Sequence, residues 1–293
     1  MTTIFRRTIA VSTLVLTLLP FAFSDQLKEA KPESRFAKLD AIRVHYQNYG
    51  KGKDALVFVH GWTCNLSHWK ESAPVFSPHT RVIAIDLPGH GESDKPEKID
   101  YSIDLFARAI DAVLVDAEVE RATLVGHSMG TPVIRQFYRK YPTKTRALVI
   151  VDGSLKPFGT RESMEPMLAN LRGPDYKKFA ETFVNFLAQT MKDKKKLEEV
   201  RSGMLATPQY VMVGAMEGML NPDIWKQDKI TVPTLALMAP NPAWNAEYEK
   251  FARELAPGID YQVFPGVSHF LMMDEPQKFN DAVMAFLKKN KLI

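Results

Sequence analysis

The chain has 293 residues, of which 45% are hydrophobic and 25% charged, with a formal net charge of +4. This composition is typical of a globular protein with a sizeable core, and it excludes a disordered or collagen-like chain. The basic residues are scattered, which argues against nucleic acid as a partner, and a single cysteine, Cys64, excludes a disulfide framework.

Residues 1–24 are predicted to be a secretory signal peptide. Arg6 and Arg7 precede a short apolar run that ends at Pro20, and small residues follow up to a cleavage site expected after Ser24. The run is short for a membrane span of about 20 residues. We therefore expect an exported protein, periplasmic or secreted, with no stable membrane insertion after cleavage. An uncleaved N-terminal anchor is the alternative.

Apolar segments of strand length alternate with helical patterns along the mature chain. Several segments, such as 56–59 and 148–151, are continuously apolar, which is typical of strands buried on both faces. The alternation predicts an α/β fold with a mainly parallel central sheet and helices on both faces. The predicted strands are Ile42–Tyr46, Ala55–His60, Arg81–Asp86, Arg121–Gly126, Arg146–Asp152, Thr234–Ala239 and Tyr261–Phe264, and the predicted helices are Ile103–Ala117, Thr131–Tyr141, Ala246–Ala256 and Pro276–Lys289.

Residues 156–228 interrupt this alternation because their pattern is nearly all helical and rich in Met and Lys. We interpret them as an inserted helical cap, and residues 25–155 with 229–293 as the core. Flexible thioethers suit an adaptable apolar surface over a pocket, and the alternative is that they only pack the cap helices. The methionines concerned are Met164, Met167, Met191, Met204, Met212, Met216 and Met219.

A G-x-S-x-G motif lies at residues 126–130, between the predicted strand Arg121–Gly126 and the predicted helix Thr131–Tyr141. Flanking glycines allow a tight strand-to-helix turn, on which a serine adopts strained backbone angles. The helix N-terminus then directs N–H groups and partial positive charge towards the serine. This context indicates that Ser128 is a nucleophile.

Four motifs, in this order along the chain, resemble the α/β-hydrolase superfamily, and the resemblance covers essentially the whole mature length. It implies a capped, esterase-like serine hydrolase with Ser128 as the nucleophile. The motifs are His60-Gly61-Trp62, the loop Asp86-Leu87-Pro88-Gly89-His90-Gly91-Glu92-Ser93-Asp94-Lys95-Pro96, Gly126-His127-Ser128-Met129-Gly130, and Gly266-Val267-Ser268-His269-Phe270.

The resemblance implies that His269, between the last predicted strand and the C-terminal helix, is the general base. His127 is expected to pack beneath the serine turn, because neighbours on a strand point to opposite faces. His60 is expected to shape the loop that follows its strand. Surface or structural roles are expected for the remaining histidines, which are His45, His68, His79 and His90.

The resemblance also implies an oxyanion hole made of two backbone N–H groups, those of Trp62 and Met129. The indole of Trp62 is expected to form part of the pocket wall.

The acid of the triad departs from the family pattern, because the loop 240–245 contains no carboxylate. Asp152, which ends the strand after the serine motif, is the preferred candidate, since a carboxylate there could fix the tautomer of the base. Its competing interpretation is a turn cap. Glu247 is an alternative acid, and in another alternative the base has no acid or is oriented only by Asn241 or Asn245.

The sequence therefore predicts a serine hydrolase that cleaves ester-type acyl bonds of a small or medium hydrophobic substrate through an acyl-enzyme. No metal-binding or nucleotide-binding motif occurs, so no metal or cofactor is expected. The alternatives are a lactone or C–C bond hydrolase, or a cofactor-free perhydrolase, with the same triad. A ligand-binding receptor with vestigial catalysis is a further alternative.

Overall fold

The computed structural model describes residues 31–293, and the predicted signal peptide lies outside this range. The described residues form an eight-stranded sheet with helices, in agreement with the predicted α/β-hydrolase fold class. The strands are β1 (Glu33–Leu39), β2 (Ile42–Tyr49), β3 (Asp54–Val59), β4 (Arg81–Ile85), β5 (Arg121–His127), β6 (Thr145–Val151), β7 (Thr234–Met238) and β8 (Asp260–Val263).

Ten α-helices connect or flank these strands within the described residues. They are α1 (Ala73–Phe76), α2 (Ile103–Asp116), α3 (Gly130–Lys140), α4 (Arg161–Arg172), α5 (Tyr176–Leu187), α6 (Lys194–Leu205), α7 (Gln209–Met219), α8 (Ala246–Leu255), α9 (Leu271–Asp274) and α10 (Pro276–Lys289).

The strand order across the sheet is β1-β2-β4-β3-β5-β6-β7-β8. Strand β2 pairs antiparallel with β1 and β4, and the other neighbours are parallel. Every residue of β4 and β7 is buried, as are nearly all of those in β3, β5 and β6. Because the central strands are parallel, the loops that follow them meet at one edge of the sheet, where α/β proteins place their sites.

The seven predicted strands are all present, with ends shifted by at most three residues. The prediction missed β1, whose first four residues are exposed or half-buried and include Glu33 and Arg35. Charge of this kind is common on an edge strand and hides the apolar alternation. It also missed α1 and α9, because four residues are too few to show a helical period.

Helices α4 to α7 all lie between β6 and β7, within residues 156–228, which we call the helical insert. Trp62 in the core donates its indole N–H to the Met212 carbonyl of α7 at 2.9 Å. Gly218 of α7 packs against the start of α2, because a Cβ there would lie 2.7 Å from the Tyr101 carbonyl oxygen. No helix within residues 31–293 is both long and apolar enough to cross a membrane.

Candidate active site

Ser128 occupies a strained turn between β5 and α3. Its φ is +53°, in the left-handed region, and its backbone N–H donates to the Val151 carbonyl at 2.9 Å. A Cβ on Gly126 would lie 2.5 Å from the Gly130 carbonyl oxygen, and one on Gly130 would lie 2.6 Å from that of Val59. The two motif glycines are thus needed for the close approach of β3, β5 and α3 that presents the serine.

Asp152 ends the neighbouring strand β6 in the same way, with φ at +43°. Its backbone N–H donates to the Leu237 carbonyl at 2.8 Å, and its side chain is almost completely buried. The carboxylate oxygen Oδ1 accepts from the Ala239 backbone N–H at 2.9 Å and from the Trp244 indole at 2.8 Å. These donors turn the second oxygen, Oδ2, towards the loop after β8.

His269 lies in that loop, between β8 and α9, and its Nδ1 is 2.6 Å from Asp152 Oδ2. This is the contact that the sequence predicts. Because a carboxylate only accepts, Nδ1 carries the hydrogen, and Nε2 of a neutral ring is left as an acceptor. The backbone of His269 is held by the Leu187 carbonyl of the insert at 3.2 Å and by His127 Nε2 at 2.9 Å.

The alternative acids lie elsewhere. Glu247 is exposed in the first turn of α8. The side-chain oxygen of Asn241 accepts from the Ala243 backbone N–H at 2.8 Å, and that of Asn245 caps α8 by accepting from the Tyr248 N–H at 3.0 Å. Asp152 is therefore the side chain that the structure brings to His269.

Two buried histidines fix the loops around the serine. Burial lowers the pKa of His127 well below its usual range, so its neutral ring donates from Nε2 to the His269 carbonyl. Burial also lowers the pKa of His60, whose Nδ1 donates to the Gly61 carbonyl at 2.8 Å and whose Nε2 accepts from the Leu87 N–H at 3.0 Å. His60 thus joins the loop after β3 to the loop after β4.

Trp62 and Met129 line the same cavity as Ser128. Among the described residues, neither backbone N–H donates a hydrogen bond to another protein group. An oxyanion hole needs two backbone donors that are not used elsewhere in the protein, and these two N–H groups are available in that sense.

The cavity has a volume of about 330 Å³ and is lined by Ser128, Asp152 and His269 together with a mainly apolar wall. Of the seven methionines of the insert named above, five line the cavity, while Met191 and Met212 are buried outside the lining. No Lys or Arg belongs to the described lining, and residues 31–293 contain no cluster of three or more side chains suited to hold a metal ion. The lining residues from the insert are Phe158, Met164, Met167, Phe183, Leu187, Met204, Met216, Met219 and Trp225.

Sequence reasoning missed three contacts at this site. They are the Trp244 indole on Asp152, the His127 ring on the His269 carbonyl, and the Leu187 carbonyl on the His269 N–H. Because each contact joins residues far apart in the chain, no local sequence pattern predicts it. Only the position of Trp244, in the loop that lacks the expected acid, offered a signal.

A family model described as the alpha/beta hydrolase fold matches residues 54–276. An uncharacterized protein of Mycobacterium tuberculosis is 34% identical over 122 residues, or 42% of this chain and 35% of that protein. The chain thus spans about a third of the length of the first curated relatives that it matches.

Two further relatives match over most of their length. A 2-hydroxy-6-oxononadienedioate/2-hydroxy-6-oxononatrienedioate hydrolase of Paraburkholderia phymatum is 28% identical over 272 residues, covering 84% of this chain and 91% of that protein. The solved structure of Est816, described as an N-acyl homoserine lactone degrading enzyme, is 25% identical with a TM-score of 0.74, covering 86% of this chain and 100% of that one. With its sheet order, its serine turn and the match over residues 54–276, the chain belongs to the α/β-hydrolase family.

Proposed function

We propose that this chain is a serine hydrolase that cleaves ester-type acyl bonds of a small or medium hydrophobic substrate through an acyl-enzyme. The main support is the 2.6 Å contact between His269 Nδ1 and Asp152 Oδ2 at the wall of the cavity that Ser128 also lines. A serine hydroxyl is a weak nucleophile without a base, and a base needs a partner that fixes its tautomer.

In the proposed acylation step, His269 Nε2 takes the proton of Ser128 while the serine Oγ attacks the carbonyl carbon. Asp152 stabilises the imidazolium through Nδ1–H. The backbone N–H groups of Trp62 and Met129 donate to the oxyanion as negative charge develops. The imidazolium then gives its proton to the departing alcohol, which leaves Ser128 acylated.

In the proposed deacylation step, a water molecule takes the place of the alcohol. His269 accepts a proton from this water as the oxygen attacks the acyl carbon. The same backbone donors bind the second oxyanion, and collapse returns the proton to Ser128 Oγ with release of the carboxylic acid. Both half-reactions use one base and one oxyanion site, and neither requires a cofactor.

The chemistry of the wall indicates an uncharged acyl group. Besides Asp152 and His269, the described lining contains no charged side chain and is dominated by Met, Phe and Trp. A carboxylate buried there without a cationic partner would cost several kcal/mol. The Paraburkholderia relative is named for dioate substrates. The absence of Lys and Arg from the described lining makes a dicarboxylate a poor substrate here, and so disfavours C–C bond hydrolysis of such dioates.

Lactone opening is the second candidate function, favoured by the similarity to Est816. A lactone follows the same two steps, except that the leaving oxygen stays attached to the acyl chain. The proposed residues are the same, so only substrates distinguish the two functions.

A substrate panel tests both candidates. We expect hydrolysis of neutral aryl or alkyl esters, with lactones as the competing class, and at least about 100-fold lower kcat/KM for acyl chains that end in a carboxylate. Ser128→Ala should lose at least about three orders of magnitude in kcat while keeping its fold. Near-normal ester hydrolysis by Ser128→Ala would contradict the proposal. Absence of both turnover of any substrate and fluorophosphonate labelling at Ser128 would favour the receptor alternative.

The insert is proposed to act as a cap that sets chain-length preference. Met164→Ala and Met216→Ala remove lining side chains and should redistribute kcat/KM along an ester chain-length series, by about 1–3 kcal/mol for each altered contact. Met191→Ala is a matched control, because Met191 is a buried methionine of the insert outside the cavity lining. If all three variants kept the chain-length profile of the parent enzyme, these insert methionines would not set the preference.

Export, with cleavage after Ser24, is proposed on the sequence pattern of residues 1–24. The substrate is then a small acyl compound outside the cytoplasm. Cell fractionation and intact-mass measurement test this proposal, since the mature chain is expected to begin near Asp25, whereas a full-length chain in the membrane fraction would indicate the anchored alternative.

A further inference from the structure

The loop after β7, residues 240–245, lacks a carboxylate but still contacts the proposed acid. Trp244 donates its indole N–H to Asp152 Oδ1 at 2.8 Å, beside the Ala239 N–H at 2.9 Å, while Oδ2 faces His269 at 2.6 Å. The carboxylate therefore has three partners, and Trp244, like His269, also lines the cavity.

Trp244 is held firmly in this position. Its backbone N–H donates to the Asn241 carbonyl at 2.9 Å, and its ring packs on that of Tyr248, with centroids 4.6 Å apart. The Tyr248 hydroxyl accepts from the Leu155 N–H at 3.0 Å and donates to the Gly153 carbonyl at 3.2 Å, just after Asp152. Tyr248 thus holds both the indole ring and the backbone that follows Asp152.

We propose that Trp244 is a positioning residue that fixes the rotamer of Asp152 and limits the negative charge that its carboxylate presents to His269. This inference rests on the proposed function. An N–H bond to a carboxylate disperses its charge and orients it, as buried partners do around other catalytic groups. Trp244 thereby helps to set the pH range in which His269 acts as a base.

Four other titratable side chains surround Asp152 and His269. His127, whose ring centroid is 4.7 Å from that of His269, is kept neutral because burial lowers its pKa. Burial raises the pKa of Tyr248, and burial followed by the charge of Glu249 raises that of Tyr261 to about 12, so both are neutral near Asp152. The Asp274 carboxylate of α9 accepts from the Ser268 N–H at 2.6 Å.

Trp244→Phe tests the proposal, because phenylalanine keeps an aromatic ring against Tyr248 but lacks the N–H. We expect kcat to fall about 10-fold with KM changed less than about 3-fold. The freed carboxylate charge stabilises the imidazolium, so the acid limb of the kcat/KM profile should move to higher pH. A purely structural role would lower activity without moving this limb.

Trp225→Phe is the matched control. Trp225 also lines the cavity, and its indole donates to the Met219 carbonyl at 2.8 Å, away from the acid. Its loss should leave the acid limb in place. An acid limb and a kcat unchanged in Trp244→Phe would overturn the proposal. If Ser128→Ala remained active instead, the proposed function itself would be wrong, so the two failures are distinguishable.

A second measurement does not depend on the folding of Trp244→Phe. The chain has four tryptophans, so the spectrum of the ¹⁵N-labelled enzyme should contain four indole N–H resonances. One of them should titrate with the midpoint of the acid limb, and the same resonance should shift most in Asp152→Asn. If none of the four responds to either change, the proposal is overturned.

Discussion

The described part of the chain contains two histidine–aspartate pairs, each beside a serine. In the first, His269 Nδ1 is 2.6 Å from Asp152 Oδ2, at the cavity that Ser128 lines. In the second, His45 Nδ1 is 2.7 Å from Asp86 Oδ2, and His45 Nε2 is 2.9 Å from the Ser34 hydroxyl. The residue types and the histidine–aspartate distances are almost the same.

The surroundings of the two pairs differ. Ser34 is exposed on the edge strand β1, whereas Ser128 lies in a left-handed turn at the start of α3, on the wall of a 330 Å³ cavity. The Asp86 carboxylate also accepts from the Leu66 N–H at 2.8 Å and the Glu92 N–H at 3.0 Å, so it joins β2 to two loops, those after β3 and β4.

Hydrogen-bonded serine, histidine and aspartate side chains therefore do not by themselves identify a catalytic site. An acyl group also needs a cavity, and its oxyanion needs backbone donors close to the nucleophile. The pair at Asp152 lies at such a cavity, which Trp62 and Met129, the residues proposed to supply the backbone donors, also line, and we assign it to chemistry. The pair at Asp86 joins β2 to the loops that follow β3 and β4, and we assign it to stability.

The largest expected effect is the loss of activity on substitution of Asp152, which should not occur on substitution of Asp86. Asp152→Asn should lower kcat by up to about four orders of magnitude, because the amide favours the wrong tautomer of His269. Steady-state kinetics on the best ester, with circular dichroism to verify the fold, measures this. A loss of less than about 10-fold would show that Asp152 only caps its turn.

Asp86→Asn should lower the stability of the fold and leave turnover nearly unchanged. Weakening the buried hydrogen bonds of the Asp86 carboxylate should cost about 1–3 kcal/mol of unfolding free energy. Turnover measured well below the melting temperature should stay within about a few-fold of the parent. Denaturant unfolding gives the free energy, and an unchanged midpoint would contradict the structural role of the second pair.

Asp86 should also give stability a specific pH dependence. Burial alone would raise the pKa of its carboxyl, but the hydrogen bond from His45 and two backbone N–H donors outweigh it and hold the pKa below its usual range. A carboxyl with a lowered folded pKa stabilises the fold above its unfolded value of about 3.9, and this contribution is lost as the pH falls through the folded pKa.

We therefore expect the stability difference between the parent and Asp86→Asn to shrink as the pH is lowered below about 4. Unfolding curves at a series of acidic pH values measure this difference. A constant difference across the series would mean that the charge of Asp86 is not what stabilises the loops.

The smallest expected effect belongs to Ser34. Ser34→Ala removes one hydrogen bond to His45 at an exposed position, worth about 1 kcal/mol or less, and should leave kcat unchanged. Paired kinetics and unfolding curves test both halves of this statement. A kcat loss of more than 10-fold would mean that the second serine takes part in the chemistry.

The sequence predicts those parts of the site whose geometry is determined by a local pattern in the chain. The turn at Ser128 is recognisable because a strand, two glycines and a helix follow each other directly in the chain. Asp152 is recognisable from its place at the end of the next parallel strand, which pairs with β5 and so brings both residues to one edge.

The rest depends on contacts between distant segments. The bond from Trp244 to Asp152 and the bond from His127 to the His269 backbone follow from packing, to which no local pattern corresponds. The wall of the cavity also depends on such packing. The sequence groups Met191 and Met216 together as methionines of the insert, but only Met216 lines the cavity.

Covalent labelling with a fluorophosphonate tests the central claim most directly, because this probe reacts with an activated serine. We expect one label per chain, located by peptide mass spectrometry at Ser128, absent in Ser128→Ala and retained in Ser34→Ala. A label on Ser34, or undiminished labelling of Ser128→Ala, would contradict the assignment of the first pair to chemistry and the second to stability.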